Sequence, residues 1–145
     1  MRYVATTLCY VLDNHIDLVK ENYEDMGDAG EFSPDYDFYK TADEGEMSFA
    51  IVAYDGDKAV GYASVLAARL NHSDVIYASN DAYYVKPAYR GGVVAGRLLV
   101  MMEREAKKRG CDTFLWEVPV RSALADALAK RKTYVLSEVI YEKEL

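Results

Sequence analysis

Apolar and polar positions along this chain change period several times, and each change marks an element. Residues 2–8 (RYVATTL) are β-prone and open a sheet. From Asn14 to Met26, the residues Ile16, Leu18, Val19 and Tyr23 recur at helical spacing. Asp13 can cap that helix, and Gly27 and Gly30 end it. Ser33-Pro34 signals a second helix over 34–43, with Pro at its first position and acids in its first turn. SFAIVAYD (48–55), Gly56-Asp57 and KAVGYASVLAARL (58–70) read as an antiparallel hairpin. A turn at Asn71–Asp74 leads to a further strand, VIYASNDAYYVKP (75–87). The helix expected over 92–109 puts Ala95, Leu98, Leu99, Met102 and Ala106 on one face, with Glu103, Arg104, Lys107 and Lys108 opposite. TFLWEVPV (113–120) suits an interior strand, SALADALAKR (122–131) a helix, and TYVLSEVIYEKEL (133–145) a closing strand or hairpin arm. The order β-α-α-β-β-β-α-β-α-β predicts a mixed α/β sheet in a single domain spanning 1–145.

Composition narrows this picture. With 51% hydrophobic and 12% aromatic residues the 145-residue chain can bury a core, which argues against disorder. Its thirteen tyrosines suit a cleft or an interface. No apolar run approaches the ~18 residues of a membrane span, and MRYVATTLCYVL lacks the parts of a signal peptide, so a cytoplasmic protein is expected. Cys9 and Cys111 stand apart, too sparse for a disulfide framework or a zinc site, and read as buried reduced thiols. No metal is expected. His15 and His72 are isolated and read as surface or capping residues.

The net charge of −7 disfavours general binding to a nucleic-acid backbone. Twelve of the 24 acids fall between Asp13 and Glu46, opposed only by Lys20 and Lys40. Such a run is a solvated face or a field that attracts a cationic amine.

Chemistry concentrates between Tyr83 and Ala106. A β-prone strand turns at Pro87, crosses Arg90-Gly91-Gly92-Val93-Val94-Ala95-Gly96, and enters an amphipathic helix. Loop amides and a helix N-terminus direct donors at an anion, and glycines let the backbone approach it. Gly91-x-x-x-x-Gly96 has the spacing of a P-loop, but Arg97-Leu98 replaces the required Lys-Ser/Thr, and no G-x-G-x-x-G is present.

With Val85-Lys-Pro-Ala-Tyr-Arg-Gly-Gly-Val-Val-Ala-Gly-Arg-Leu-Leu99 at its centre, the chain resembles the GNAT superfamily of acyl-CoA N-acyltransferases over nearly its whole length. Arg90 takes the Arg/Gln position of the family signature and Ala95 its last Gly/Ala position, while Val93 stands where the middle glycine is expected. The DGDKAVGY hairpin (55–62) and the ending VIYEKEL (139–145) also fit. The overall look is similar to small members carried by bacteriophages and prophages, for which the compartment would be the host cytoplasm.

The resemblance implies a GNAT-like fold and direct transfer of an acetyl group from acetyl-CoA to a primary amine, either a small cationic amine or a protein lysine or N-terminus. It implies a pyrophosphate held by backbone N–H groups of Gly91, Gly92, Val93, Val94, Ala95 and Gly96, with Arg90 ordering the turn and Arg97 and Ser122 beside the cofactor. Backbone groups of Tyr83, Tyr84 and Val85 would meet the pantetheine, the Val85 N–H as oxyanion donor. A carboxylate must take the proton of the attacking amine. Asp81 is the acid on the strand leading to Val85, expected by alternation on the face of Ser79, Tyr83 and Val85, or else a turn or bulge residue. Glu117 is the second candidate.

The family's general-acid tyrosine falls at Ala129, and Ser122 replaces an Asn, which leaves Tyr134 or solvent to protonate the thiolate. The acceptor side would be built by the first two helices and their loop, where Tyr23, Phe32, Tyr36, Phe38 and Tyr39 accompany the acids. Acetyl-CoA and an amine are thus the implied partners, with a homodimer an option. The alternative is a GNAT-fold CoA-binding or protein-interaction module that has lost catalysis.

Overall fold

A single alternating sheet with helices on both faces accounts for the architecture, and the computed structural model describes all 145 residues. The elements run β1 (Arg2–Thr6), α1 (Leu8–Met26), α2 (Tyr36–Glu44), β2 (Ser48–Asp55), β3 (Lys58–Arg69), β4 (Ile76–Val85), α3 (Val93–Lys108), β5 (Thr113–Leu115) and α4 (Ala123–Ala129). A short 3-10 turn, Pro87–Tyr89, separates β4 from α3. The sheet order is β1-β2-β3-β4-β5, antiparallel until the parallel β4–β5 pair. It is a mixed α/β fold.

β2 lies at the centre of the core and is buried from Ser48 to Tyr54, which explains why its sequence does not alternate. On one face Leu98 and Met102 of α3 pack against Phe49, Ile51 and Val65. On the other, Leu8, Val11 and Leu18 of α1 cover Ala50, Val52 and Tyr62. Asp55 pairs with Lys58 across Gly56-Asp57, and Gly56 supplies the positive φ of the turn. No helix is long and apolar enough to cross a membrane.

Several elements differ from the expectation. Helix α1 begins at Leu8, six residues early. The Thr7 hydroxyl accepts from the Tyr10 N–H, and the Asp43 carboxylate accepts from the Leu8 and Cys9 N–H groups. Asp13 therefore lies inside the helix. Asp35, with its carboxylate on the Phe38 N–H, caps α2, so Pro34 precedes the helix. His15 is neither exposed nor a cap: it is half-buried, kinks α1 with non-helical φ/ψ, and sits with Nε2 2.7 Å from Tyr54 Oη. Cys9 and Cys111 are half-buried free thiols.

The last two strands change most. β5 is only Thr113–Leu115, and residues 133–145 form no strand at all: the expected closing strand has no partner within the chain.

The shortness of β5 creates the cleft. Pairing with β4 stops at Ser79–Leu115. Beyond it, the Asn80 side-chain amide donates to the Glu117 carbonyl and accepts from the Glu117 N–H, both at 2.8 Å. β4 continues alone on that side to Val85, so its edge opens as the two chains part.

Candidate active site

The loop after β4 is set by its own short-range geometry. Pro87 opens the 3-10 turn, and Arg90 folds back so that Nε donates to the Val85 carbonyl at 2.7 Å. The Arg90 guanidinium also reaches Asp25 of α1 at 2.9 Å and lies over the Tyr84 ring. Arg90 thus ties the end of β4 to α1 and shapes the turn. Gly91 takes φ +76°, a left-handed conformation that a side chain resists. Gly92 stands at the N-cap of α3 without a capping side chain, and no acid occupies the first turn.

Two consequences follow. The N–H groups of the first turn have no side-chain acceptor, so the positive end of the helix dipole is left for an external anion. The space above it is clear: a Cβ at Gly91 or Gly96 would meet nothing within 4 Å. Arg97, exposed just beyond the first turn, adds positive charge to this end of the helix. The pyrophosphate of a coenzyme A fits these features. Val93, at the position of the expected middle glycine, is 72% exposed and points away from the core, so its side chain does not fill the cradle from within.

Tyr83 brings the cradle and the strand into register. Its phenol crosses to α3 and donates to the Ala95 carbonyl, with the ring edge-on to Trp116 at 5.8 Å. Burial raises its pKa and keeps it a donor. Tyr84 faces the other way and donates to Glu21, which pairs with Lys86 at 2.7 Å. The Lys86 hydrogen bond leads the causes that hold Glu21 below its ordinary value. Lys86 N–H donates to the Val60 carbonyl, so by strand alternation the backbone groups of Val85 turn to the open edge. Gly61 opposite is required by contact: a Cβ there would lie 2.8 Å from the Tyr84 carbonyl.

A β-bulge decides where Asp81 points. Ser64 pairs with Ala82 and Val65 with Asn80, which leaves Asp81 as the extra residue of β4. Alternation alone would place it with Tyr83 and Val85 on the α3 face. The bulge re-aims it to the α1/α2 face, where its carboxylate accepts from Ser64 Oγ at 2.9 Å and Tyr39 Oη at 3.2 Å. Burial, then the Asp81 charge, raises the pKa of Tyr39, so its phenol stays protonated and serves as a donor.

Asp81 lies in an open cavity of about 320 Å³ between α1, the α1–α2 loop and the sheet. Asn22 and Tyr62 share its wall, hydrogen-bonded to each other at 3.3 Å. Asp28 and Glu31 come from the loop, whose course is fixed by Tyr23: its phenol donates to the Gly30 carbonyl and its ring packs against Phe32. The cavity is therefore aromatic on its sides and acidic both on its loop and beside β4.

The other residues singled out in the sequence lie elsewhere. Glu117 holds β5 to Asn80 through its backbone, and its side chain is exposed. Tyr134 donates to Glu103 of α3 at 2.6 Å, an oxygen that also accepts from Trp116 Nε1. Burial and that bond raise the Tyr134 pKa. Ser122 caps α4 by accepting from the Ala125 N–H. Sequence reasoning missed Ser64 and the partnership of Tyr39 with Asp81. A lone serine inside the apolar run of β3 was the one available signal for the first.

The acetyltransferase (GNAT) family model matches residues 14–132. The chain belongs to the GNAT acetyltransferase family. No curated protein matches it by sequence. Among solved structures it is similar to an aminoglycoside acetyltransferase, meta-AAC0020, from an uncultured soil metagenomic sample in complex with sisomicin. There the TM-score is 0.78 and the identity 14%, over 99% of this chain and 95% of that one. It is also similar to the ribosomal-protein-alanine N-acetyltransferase of Brucella melitensis biovar Abortus 2308, at TM-score 0.72 and 14% identity over the full length of both. A third, aminoglycoside N-acetyltransferase AAC(6')-Iy in complex with CoA, gives TM-score 0.66 and 13% identity over 99% of this chain and 100% of that one. At these identities the likeness is one of fold. As a GNAT protein, the chain carries the family's fold with its β4–β5 cleft open and its α3 N-terminus uncapped.

Proposed function

We propose that this GNAT protein transfers the acetyl group of acetyl-CoA directly to a primary amine that is cationic in solution. The observation that carries the reading is the bulge at Asp81, which puts a carboxylate inside an acidic, aromatic cavity on the strand that ends at the cradle. On this reading the amides of 91–96 and Arg97 bind the pyrophosphate, at about 0.3–1 kcal/mol of helix-dipole stabilisation per exposed anionic contact. The Val85 N–H, on the open edge of β4, would polarise the thioester carbonyl.

Asp28 and Glu31 attract the ammonium form of the acceptor, and Tyr23, Tyr39 and Tyr62 pack its carbon stem. Asp81 then takes a proton from the nitrogen, directly or through a water. The neutral nitrogen attacks the thioester carbon, its second proton passes to water as the C–S bond breaks, and the thiolate leaves with the electron pair. Ser64 and Tyr39 fix the carboxylate in position for this step. A general base of this kind contributes about 10²–10⁴ in rate. Because the Tyr134 phenol is committed to Glu103, solvent supplies the proton to the thiolate, a fair leaving group with a pKa of roughly 8.5 for an ordinary thiol.

One observation favours a second reading, a CoA-binding protein without catalysis: no tyrosine stands at 129, and Tyr134 is engaged elsewhere. Free-thiol release from acetyl-CoA over an amine panel separates the two. The panel would hold a polyamine, sisomicin, a lysine peptide and a peptide beginning with alanine. Release with at least one small polycation is expected. Thermal stabilisation by CoA without release from any amine favours the second reading, and no stabilisation by CoA contradicts both.

A further inference from the structure

Helix α1 changes direction at one residue, and the segments on both sides of the change line the cavity beside Asp81. His15 has φ −138° and ψ 34°, outside the helical region, between residues 8–14 and 16–26. Leu8, Val11 and Leu12 line the cavity from the first segment, and Val19, Asn22 and Tyr23 from the second. A sharp kink has an identifiable cause, such as Pro, Gly or a side-chain contact that competes with the helix ladder. No Pro or Gly lies between Leu8 and Met26. What the kink residue does have is a partner in the sheet. Its Nε2 is 2.7 Å from Tyr54 Oη, and the two rings stand edge-on at 5.5 Å. Tyr54 is itself fixed, buried on β2 with the Arg2 guanidinium 4.4 Å over its ring. Burial lowers the His15 pKa, so the ring is neutral at pH 7 and removing its partner strands no charge.

The two segments are anchored separately. The first is held at its start by Thr7 and Asp43. The second makes three long-range ties: Asn22 to the Tyr62 phenol, Glu21 to Tyr84 and Lys86, and Asp25 to Arg90. The angle at His15 decides whether both sets are met at once. At 1.5 Å per residue Asn22 lies about 10 Å along the helix from His15, so a change of roughly 20° in direction moves it by about 4 Å. That is more than a hydrogen bond tolerates. Asn22 would leave Tyr62. Tyr23, whose phenol holds the Gly30 carbonyl and whose ring packs on Phe32, would carry the acidic loop with it.

We propose that His15 is a positioning residue: its bond to Tyr54 sets the direction of the second half of α1, and so places Asn22, Tyr23 and the loop of Asp28 and Glu31 around the acceptor amine. The assignment rests on the reading of that cavity as the acceptor site. Asp81 is outside the reach of the bond, because Ser64 and Tyr39, which hold its carboxylate, belong to β3 and α2. The turn before the cradle is held locally, by Arg90 on the Val85 carbonyl. The His15–Tyr54 bond therefore bears on how tightly the amine is held, and not on proton transfer or on CoA.

Tyr54→Phe deletes the hydroxyl and keeps the ring under Arg2, while His15→Leu removes the other partner. Melting curves confirm that each variant is folded at the assay temperature. Thiol release is then measured at saturating acetyl-CoA with whichever panel amine the wild type turns over. Each variant should raise the KM for the amine about tenfold, with kcat and CoA affinity within about twofold of wild type. The double variant should raise it no further, since the two changes remove one bond. A KM within about twofold of wild type in Tyr54→Phe overturns the proposal, because the ties at Asn22, Glu21 and Asp25 would then direct the helix unaided. Losses of kcat and CoA affinity alongside KM also overturn it, since they report a damaged fold, and so does a double variant whose effects add. A wild type that releases no thiol with any amine is a different failure: it removes the acceptor reading, and this assignment with it.

Discussion

Gly91 and Gly96 flank the same helix start under different constraints. Gly91 holds φ +76°, so any replacement there costs roughly 1–2 kcal/mol of strain whatever it does to a ligand. Gly96 sits in the first turn of α3 with open space where its Cβ would go. Gly96→Glu gains about 0.5–1 kcal/mol of helix propensity and places a carboxylate at the favourable end of the dipole. On the proposed reading the same carboxylate occupies the pyrophosphate site. The variant should melt at the wild-type temperature or above it, while CoA affinity measured by calorimetry falls by about tenfold or more, or ~1.4 kcal/mol. Unchanged affinity would place the pyrophosphate away from this loop. Separating the two effects matters because Gly91→Glu, at a residue with positive φ, would confuse strain with lost binding.

At the scale of elements, two non-local contacts position the site. One is Asp43, at the end of α2, whose carboxylate caps α1 through the Leu8 and Cys9 N–H groups and accepts from Ser48. Burial opposes its charge, but the bonds from Ser48, Cys9 and Leu8 together outweigh it and hold the carboxyl below its ordinary value of 3.8. Protonation is therefore harder in the folded chain than in the unfolded one. The stability it contributes is complete above about pH 4 and is lost as pH falls through the folded value. Asp43→Asn should lower stability at pH 7 by about 1–2 kcal/mol and flatten the dependence of denaturant midpoint on pH below 4. A variant with the wild-type slope would mean that the cap carries no charge-dependent stability.

The other contact is the bulge at Asp81. Neither feature was legible in the sequence, for the same reason. The hairpin at 48–70, helix α3 and the Gly-rich loop are written in local period and turn chemistry, and they stand close to where the pattern put them. The start of α1 depends on a carboxylate from another helix, and the face of Asp81 on a register shift between β3 and β4. Strict alternation was the right rule for Tyr83 and Val85 and failed from the bulge upstream, for Asp81 and also for Ser79, which pairs with Leu66 while its neighbour Ala78 packs on the α3 side. The run 133–145 has a real strand pattern, but nothing within the chain pairs with it. Tyr134 is aromatic and suitably placed in sequence for a proton donor, yet Glu103 already holds its hydroxyl.

For the whole molecule the governing quantity is the uneven field. The first third carries twelve of the 24 acids and supplies Asp28 and Glu31 to the cavity, whereas the first turn of α3 carries no acid. On the proposed reading the two substrates would meet opposite potentials on opposite sides of β4. With a cationic acceptor, KM should rise severalfold as ionic strength goes from about 0.01 M to 0.15 M, where the screening length shrinks from roughly 30 Å to 8 Å. An uncharged amine in the same assay should show little change, and an equal rise for both would remove the field as the basis of acceptor choice. The claim on which the rest depends is that the re-aimed carboxylate acts on the acceptor. Its most direct test is thiol release at saturating acetyl-CoA and amine for Asp81→Asn, with CoA affinity measured alongside. A fall in kcat of about 10²–10⁴ with CoA affinity within about twofold of wild type is predicted. Turnover at the wild-type rate would contradict it.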